Sequence, residues 1–289
     1  MEATGIVVGV DGSHRSFGAV RWAAQEAQRQ GTPLKIVNVY EWDWPAGRRG
    51  SADVLREWAA QRADETLDAA VEQAHDAAPT VTVERAAVHG DPVWILLDAA
   101  ATASLVVVGN RGRGGFGSLL LGSVGQRLAT HAPAPVVVVR GRLDEHSGPV
   151  VVGLDGSASS LDALALAFKA AAERRTSVVA VRAYQPPLPP WGPEIEPIVY
   201  DAKAEDAHLH SELDALMAPW RDKFPGVATE TLVAHGSAAK VLVDLSSTAQ
   251  LVAVGTRGHG DVAATLLGSV GLQLLHHAHC PVLIARPRR

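Results

Sequence analysis

The sequence has very little cysteine and no long apolar run, and both absences narrow what the chain can be. Cys280 is the only cysteine among 289 residues, so no disulfide can form within the chain and a reducing compartment is the expected setting. The longest apolar runs, such as LVVVG from Leu105, are far shorter than the roughly 18 residues of a membrane-spanning helix. The opening residues, MEATGIVVGVDGS, lack the basic and apolar regions of a secretory signal. We therefore expect a cytoplasmic protein without a membrane segment.

Positive charge is also scarce. The chain has 26 Lys and Arg against 31 Asp and Glu, which gives a net charge of −5. Broad nucleic-acid binding needs a concentrated basic surface, so we expect no nucleic-acid partner. The seven tryptophans are accordingly interpreted as packing residues, because no basic face accompanies them. A hydrophobic content of 47% is ordinary for a folded globular protein, and the length suits two domains.

The chain contains the same domain twice. GIVVGVDGS from Gly5 recurs as PVVVGLDGS from Pro149. Further on, VHGDPVWILLDAAATASLVVVGNRG from Val88 aligns with AHGSAAKVLVDLSSTAQLVAVGTRG from Ala234. A match of this length indicates a tandem duplication rather than a short repeat. With the charged segment RGRLDEHSG as linker, the predicted domains are half one, residues 1–142, and half two, residues 143–289.

Short Val, Ile and Leu runs alternate with longer Ala-rich stretches of helical period. Half one is predicted to contain strands near 5–10, 34–39, 81–87, 105–108 and 136–139, and helices near 14–30, 52–78, 91–102 and 121–131. Half two repeats this series. Apolar strands that alternate with helices predict an α/β doubly wound parallel sheet in each half. Ligands of such sheets bind beyond the carboxyl ends of the strands, where the winding reverses.

One glycine loop follows the fourth predicted strand of each half: Gly109–Ser123 in half one and Gly255–Ser269 in half two. Both have the pattern Gly, two residues, Gly, nine residues, Gly-Ser. Successive glycines let backbone N–H groups converge on an anion, and each Gly-Ser pair lies at a predicted helix start, which favours negative charge. Arg111 and Arg257 would add positive charge. The pattern predicts a polyphosphate site without a Walker lysine.

The VDGS opening, the two glycine loops and the endings HAPAPVVVV and HAHCPVLIA resemble the universal stress protein family in its tandem-domain, ATP-binding form. The resemblance implies Rossmann-like sheets of strand order 3-2-1-4-5, whose closing strands pair the halves into a pseudo-dimer, and a homodimer or protein partner beyond that. It also implies ATP with Mg²⁺ in each half. The residues carried over are Gly9, Asp11, Val39, Gly109, Arg111, Gly112, Gly122, Ser123 and Val124, and in half two Gly153, Asp155, Ala183, Gly255, Arg257, Gly258, Gly268, Ser269 and Val270.

Several features have a second interpretation. Asp11 and Asp155 bind ligand or metal in one reading and cap the next helix in the other. The cluster HHAHC, His276–Cys280, contains zinc-binding residue types, but it leads into a predicted edge strand and half one lacks the thiol, so a structural role is favoured. Asp261 brings a carboxylate close to the expected phosphates of half two, which predicts a weaker site or a larger role for magnesium there. The proline-rich segment from Gln185 is interpreted as a surface loop.

The leading functional hypothesis is an ATP-binding stress-response regulator with little or no hydrolysis and no catalytic residue. The two loops share no Glu, Gln or His that would orient a water molecule, and His259 and Asp261 occur in half two alone. A slow ATPase that uses those two residues is the first alternative. The second is a nucleotide-independent assembly module built on its apolar closing strands.

Overall fold

The computed structural model describes residues 5–41, 52–112, 121–142, 147–185, 201–256 and 267–286. In half one these residues form β1 (Ile6–Val10), α1 (His14–Gln30), β2 (Leu34–Tyr40), α2 (Ala52–Ala77), β3 (Val83–His89), α3 (Pro92–Ala100), β4 (Leu105–Gly109), α4 (Ser123–His131) and β5 (Val136–Val139). In half two they form β6 (Val150–Gly153), α5 (Ala158–Arg174), β7 (Val178–Tyr184), α6 (Ala202–Lys223), β8 (Thr229–His235), α7 (Ala238–Leu245), β9 (Leu251–Gly255), α8 (Ser269–His277) and β10 (Val282–Ala285). None of the helices in this part of the chain is both long and apolar enough to cross a membrane.

All ten strands belong to one continuous sheet of order β3-β2-β1-β4-β5-β10-β9-β6-β7-β8. Each half therefore has the order 3-2-1-4-5, and its strands are parallel. The halves meet through an antiparallel pairing of β5 and β10, with Val137 opposite Leu283. The α/β fold, the strand order and the pseudo-dimer are confirmed.

The strand after HHAHC was expected to be the edge strand of its own half and to pair with the closing strand of the other half. In the structure, β10 is the end strand of half two and lies between β9 and β5. The outer strands are β3 and β8, which carry charged residues such as Glu84, Arg85 and Glu230. Charge on an outer strand discourages pairing with another chain, whereas the all-valine strand β5 is covered by its partner.

The strands are buried on both faces, which explains their continuous apolar runs. Ile6 and Val8 point toward α1 and α2, within a core cluster that extends through the same face of half two. Val7 and Val106 point to the opposite face, with the core of α3 and α4. A buried residue of this size contributes roughly 1.5–3 kcal/mol. The apolar core thus extends across the junction on both faces of the sheet.

The junction also contains a buried ion pair between α1 and α5. Arg174 Nη2 lies 2.7 Å from Glu26 Oε2, and the two side chains are 4% and 3% exposed. Gln30 Nε2 donates to the other carboxylate oxygen of Glu26 at 2.9 Å, and the Arg174 guanidinium lies over the Trp22 ring at 5.5 Å. Burial and the nearby Glu26 charge raise the pKa of Glu173 beside this pair. Half one and half two are therefore joined by charge as well as by strand pairing.

Candidate functional site

The winding of the sheet reverses between β1 and β4, which are hydrogen-bonded neighbours. Their carboxyl ends carry Asp11 and Gly109, so the VDGS turn and the first glycine loop begin side by side. The same relation holds for β6 and β9 in half two. This is the crevice in which ligands of doubly wound sheets bind.

The VDGS segment of half one folds as a tight turn into α1. Asp11 Oδ1 accepts a hydrogen bond from the Ser13 backbone at 3.0 Å, and Gly12 has φ +81°, a value that favours glycine. Ser13 is the residue that caps α1, because its hydroxyl accepts from the Ser16 backbone. The helix-cap interpretation of Asp11 is therefore wrong in detail, since the cap is Ser13 and Asp11 stabilises the turn two residues before it.

Half two repeats this turn, and there the serine hydroxyl also donates to the aspartate. Asp155 Oδ1 accepts from the Ser157 backbone at 2.9 Å and from the Ser157 hydroxyl at 2.6 Å. Gly156 has φ +84°, and Ser157 caps α5. Both aspartates are thus held in a fixed orientation by the backbone that follows them.

Close packing requires a glycine at the first position of each loop. A Cβ atom on Gly109 would lie 2.9 Å from the Arg15 carbonyl oxygen, and one on Gly255 would lie 2.7 Å from the Ser159 carbonyl oxygen. The end of the fourth strand therefore passes directly against the first turn of the first helix in each half. Only a residue without a side chain allows this approach.

The second glycine brings the two motifs of half one into contact. A Cβ atom on Gly112 would collide with Asp11 Oδ2. The backbone of the glycine loop thus passes directly beside the carboxylate of the VDGS turn. In half two the corresponding residues, Arg257 and Gly258, lie outside the described residues, as do His259 and Asp261.

Each loop returns to its own start before the next helix begins. The Gly122 N–H donates to the Asn110 carbonyl at 2.8 Å, and the Gly268 N–H donates to the Thr256 carbonyl at the same distance. A Cβ on Gly122 would lie 3.5 Å from Arg111 Cα and 3.7 Å from the Gly112 nitrogen. Arg111, Gly112 and Gly122 are therefore adjacent.

Helices α4 and α8 begin at this point. Gly122 and Gly268 occupy the N-cap positions, and these caps provide no side-chain hydrogen bond to the described helices that follow. By contrast, Ser13 and Ser157 do cap their helices. The first N–H groups of α4 and α8, which include those of Ser123, Val124, Ser269 and Val270, are thus presented at the crevice, where they and the helix dipole favour an anion.

The remaining predicted residues lie on the strands. Gly9 lies under helix α3, where a Cβ atom would be 2.9 Å from Leu96 Cδ1. Gly153 lies in the same way under helix α7, where a Cβ atom would be 2.7 Å from Leu242 Cδ1. Val39 and Ala183 lie near the ends of β2 and β7. The pairing of β1 with β2 ends at Asn38, and that of β6 with β7 ends at Val181. The main chain at both positions therefore extends past the end of the central strand.

The ends of the paired strands β2 and β3, and of β7 and β8, carry aromatic pairs that the sequence analysis missed. The rings of Tyr40 and His89 are 5.7 Å apart, and Tyr184 and His235 form the matching pair in half two. The Tyr184 hydroxyl also donates to Asp206 at 2.7 Å, and this bond lowers the pKa of Asp206. The recurrence of Tyr and His at the same register in both halves was the available signal.

The HHAHC cluster, His276–Cys280, lies within the part of the chain that the structure describes. No group of three or more metal-binding side chains is found there. Burial raises the pKa of the Cys280 thiol to about 12, and burial also lowers the pKa of His276. The thiol is thus a buried packing group.

Comparison with known proteins gives a consistent result. The model of the universal stress protein family matches residues 4–140 and again 147–286. A universal stress protein of Mycolicibacterium smegmatis is 36% identical over 296 residues, which cover 98% of this chain and 97% of that protein. One from Mycobacterium tuberculosis strain H37Rv is 37% identical over 300 residues, with coverage of 98% and 96%.

Solved structures show the same fold at low sequence identity. A universal stress protein from Archaeoglobus fulgidus superposes with a TM-score of 0.72 at 18% identity and covers 100% of both chains. A second solved structure, of a Pseudomonas aeruginosa protein, has a TM-score of 0.61 at 14% identity, with coverage of 99% and 94%. The tandem arrangement is therefore found in known structures.

Proposed function

Because the chain belongs to the universal stress protein family, we propose that it is a stress-response regulator that binds one ATP at the crevice of each half and hydrolyses it little or not at all. The observation that carries the proposal is the convergence in half one of Asp11, Gly112 and the first turn of α4. Backbone donors, a carboxylate and a helix N-terminus meet there, in the place where a nucleotide polyphosphate with its metal would be held.

The phosphates would be bound mainly by main-chain donors. Gly112 and Gly122 leave room for close approach, and the N–H groups of Ser123 and Val124 open α4. A hydrogen bond to a charged oxygen contributes roughly 1.5–3 kcal/mol. Three or four such bonds, with the Arg111 charge, would give a binding free energy of about −8 kcal/mol, or a Kd near the micromolar range. Gly258, Gly268, Ser269 and Val270 would serve half two in the same way, with Arg257 as the cation.

Different groups of the protein would bind the adenine base and the metal ion. The main chain at Val39 and Ala183 extends past the central strand and would meet the adenine edge. Mg²⁺ in nucleotide sites is usually held by one or two carboxylates together with the phosphates and water. Asp11 and Asp155, oriented by their turns, fit that requirement. A bound Mg²⁺ would neutralise phosphate charge, while the protein residues hold and orient the nucleotide.

Turnover has less support than binding. The two glycine loops share no side chain that would act as a general base. The assembly-module alternative includes the pairing of the closing strands within one chain, and equal oligomer size with and without nucleotide, with no nucleotide bound, would support it. A homodimer, which the family resemblance implied, remains part of the proposal, and light scattering with and without ATP would test it.

The decisive experiment combines nucleotide identification with calorimetry. Purified protein is denatured and any released nucleotide is identified by chromatography. The stripped protein is then titrated with ATP beside the variants Gly112→Glu, Gly258→Glu and their combination. Gly226→Glu is the matched control, because a side chain at Gly226 meets nothing within 4 Å. We expect two ATP molecules per chain for the parent and the control, one for each single variant, and none for the double variant.

Two results would contradict the proposal. Unchanged binding by a folded double variant would place the phosphates elsewhere, and no binding by the parent would leave the glycines with packing roles alone. Phosphate release is measured on the same samples. Multiple turnover that is lost in His259→Ala or Asp261→Ala, with ATP binding retained, would favour the slow ATPase instead.

A further inference from the structure

Each half ends its last strand with an arginine that reaches into the other half. Arg140 follows β5, and its Nη1 donates to the carbonyl oxygens of Leu274 at 3.0 Å and Leu275 at 2.6 Å. Arg286 follows β10, and its Nη2 donates to the carbonyl oxygens of Ala129, at 2.9 Å, and Thr130. These carbonyls belong to the last turns of α8 and α4. We call Arg140 and Arg286 the crossed arginines.

The contacts have a clear physical effect on the helices that receive them. The last four carbonyl groups of a helix lack partners within the helix, and a cation placed there also interacts favourably with the helix dipole. The guanidinium group is planar and always charged, so it suits two neighbouring carbonyls. Helices α4 and α8 have nine residues each, a length at which an isolated helix is marginal in water. Stabilisation of their last turn therefore affects the whole helix.

The same two helices open the candidate nucleotide sites. Helix α4 begins beside Gly122 in half one, and α8 begins beside Gly268 in half two. At about 1.5 Å per residue, the carbonyls that each crossed arginine contacts lie roughly 9 Å from the phosphate end of the helix, so the arginine is too far away to touch the phosphates. The linker backbone is also fixed against half two, because Arg142 N–H donates to the His279 carbonyl at 3.0 Å.

We infer that each nucleotide site is completed by the opposite half: Arg286 of half two positions α4 for the site of half one, and Arg140 of half one positions α8 for the site of half two. The crossed arginines are positioning residues, and the inference rests on the proposed function. It assigns a reason for the tandem arrangement, because the arginine at the C-terminal end of each of these two helices comes from the other half.

The test uses full-length protein with one site blocked at a time. In the Gly258→Glu background, where the site of half one remains, Arg286→Met should weaken ATP binding about three- to tenfold, whereas Arg140→Met should change it by less than about twofold. In the Gly112→Glu background the effects should be reversed. Lysine at either position should restore part of the affinity, since it keeps the charge. Arg127→Met is the matched control, because Arg127 is an exposed arginine of α4 away from its last turn.

A second measurement needs no nucleotide. Hydrogen exchange followed by mass spectrometry should show faster exchange in the last turn of α4 for Arg286→Met and in the last turn of α8 for Arg140→Met, each without an effect on the other helix. Equal weakening of both sites by either variant, or exchange changes confined to the arginine's own half, would overturn the inference. A parent that binds no ATP would refute the proposed function and the positioning role with it, while the exchange pattern would still decide whether the helices are capped across the junction.

Discussion

The buried ion pair at the junction gives the sharpest prediction for stability. Glu26→Gln keeps the shape of the side chain but removes the charge that faces Arg174. Both side chains are almost fully buried, at 3% and 4% exposed, so the Arg174 cation would be left in a site that excludes water. Removal of one member of a buried pair costs about 3–5 kcal/mol. We expect about 3 kcal/mol here, because glutamine can still accept a hydrogen bond.

A double-mutant cycle separates the pair from its surroundings. Arg174→Met should cost less than Glu26→Gln, about 1–2 kcal/mol, because Glu26 would retain its bonds from Arg29 and Gln30. The double variant should cost no more than Glu26→Gln alone, which gives a coupling free energy of at least about 1–2 kcal/mol. Asp68→Asn is the control, because it breaks an exposed pair with Arg85 that is worth at most about 1 kcal/mol.

The assay is urea unfolding at neutral pH, followed by tryptophan fluorescence and far-UV circular dichroism. Coincident transitions would show that the two halves unfold together, so one free energy of unfolding describes the chain. Additive single effects, or a Glu26→Gln cost below about 1 kcal/mol, would refute the reasoning, because they would mean that the junction pair is solvated in solution.

Two further predictions concern single titratable groups. A carboxyl group whose pKa is raised in the folded state disfavours folding as the pH rises through that pKa. Glu173→Gln should therefore have a higher Tm than the parent near pH 7, and it should lose this advantage in the acid range below the unfolded pKa of about 4.3. An advantage that is the same at both pH values would contradict this cause. Burial raises the pKa of the Cys280 thiol to about 12. A thiol reagent at about pH 8 should therefore label one thiol per chain in concentrated guanidinium and none in the native protein. Rapid labelling of the native protein would show that the core around Cys280 opens.

Much of the fold could be predicted because its signals are local. Unbroken runs such as VVVV in β5 mark buried parallel strands, and the predicted helix from residue 121 begins at Ser123 because Gly122 takes the cap position. The strand order and the pairing of the closing strands followed from the family resemblance rather than from periodicity. Once β1 and β4 are neighbours, Asp11 and Gly109 must face one crevice, since the carboxyl ends of neighbouring parallel strands meet at one edge.

The side-chain contacts between the halves could not be predicted from the sequence. The buried ion pair uses positions at which the two repeats differ. Glu26 aligns with Ala170, and Arg174 aligns with Gln30, so the alignment of the repeats shows no charge pair. The pair exists because α1 and α5 face each other across the junction. The crossed arginines do recur at matching positions, but their carbonyl partners carry no sequence signal. The turn role of Asp11 was also hidden, since it depends on the positive φ of Gly12.

The pairing of β5 with β10 has a consequence for synthesis of the chain. The pairing partner of Val137 is Leu283, which is synthesised much later. Half one therefore emerges from the ribosome with an all-valine strand, one edge of which stays unpaired until the last strand of half two is made. Contacts this distant in sequence form slowly, and an open apolar strand is prone to pair with other chains in the meantime. Nascent half one is therefore the stage at which this protein most needs protection from aggregation, and mutations that delay folding of half two should lower its yield before they alter its activity.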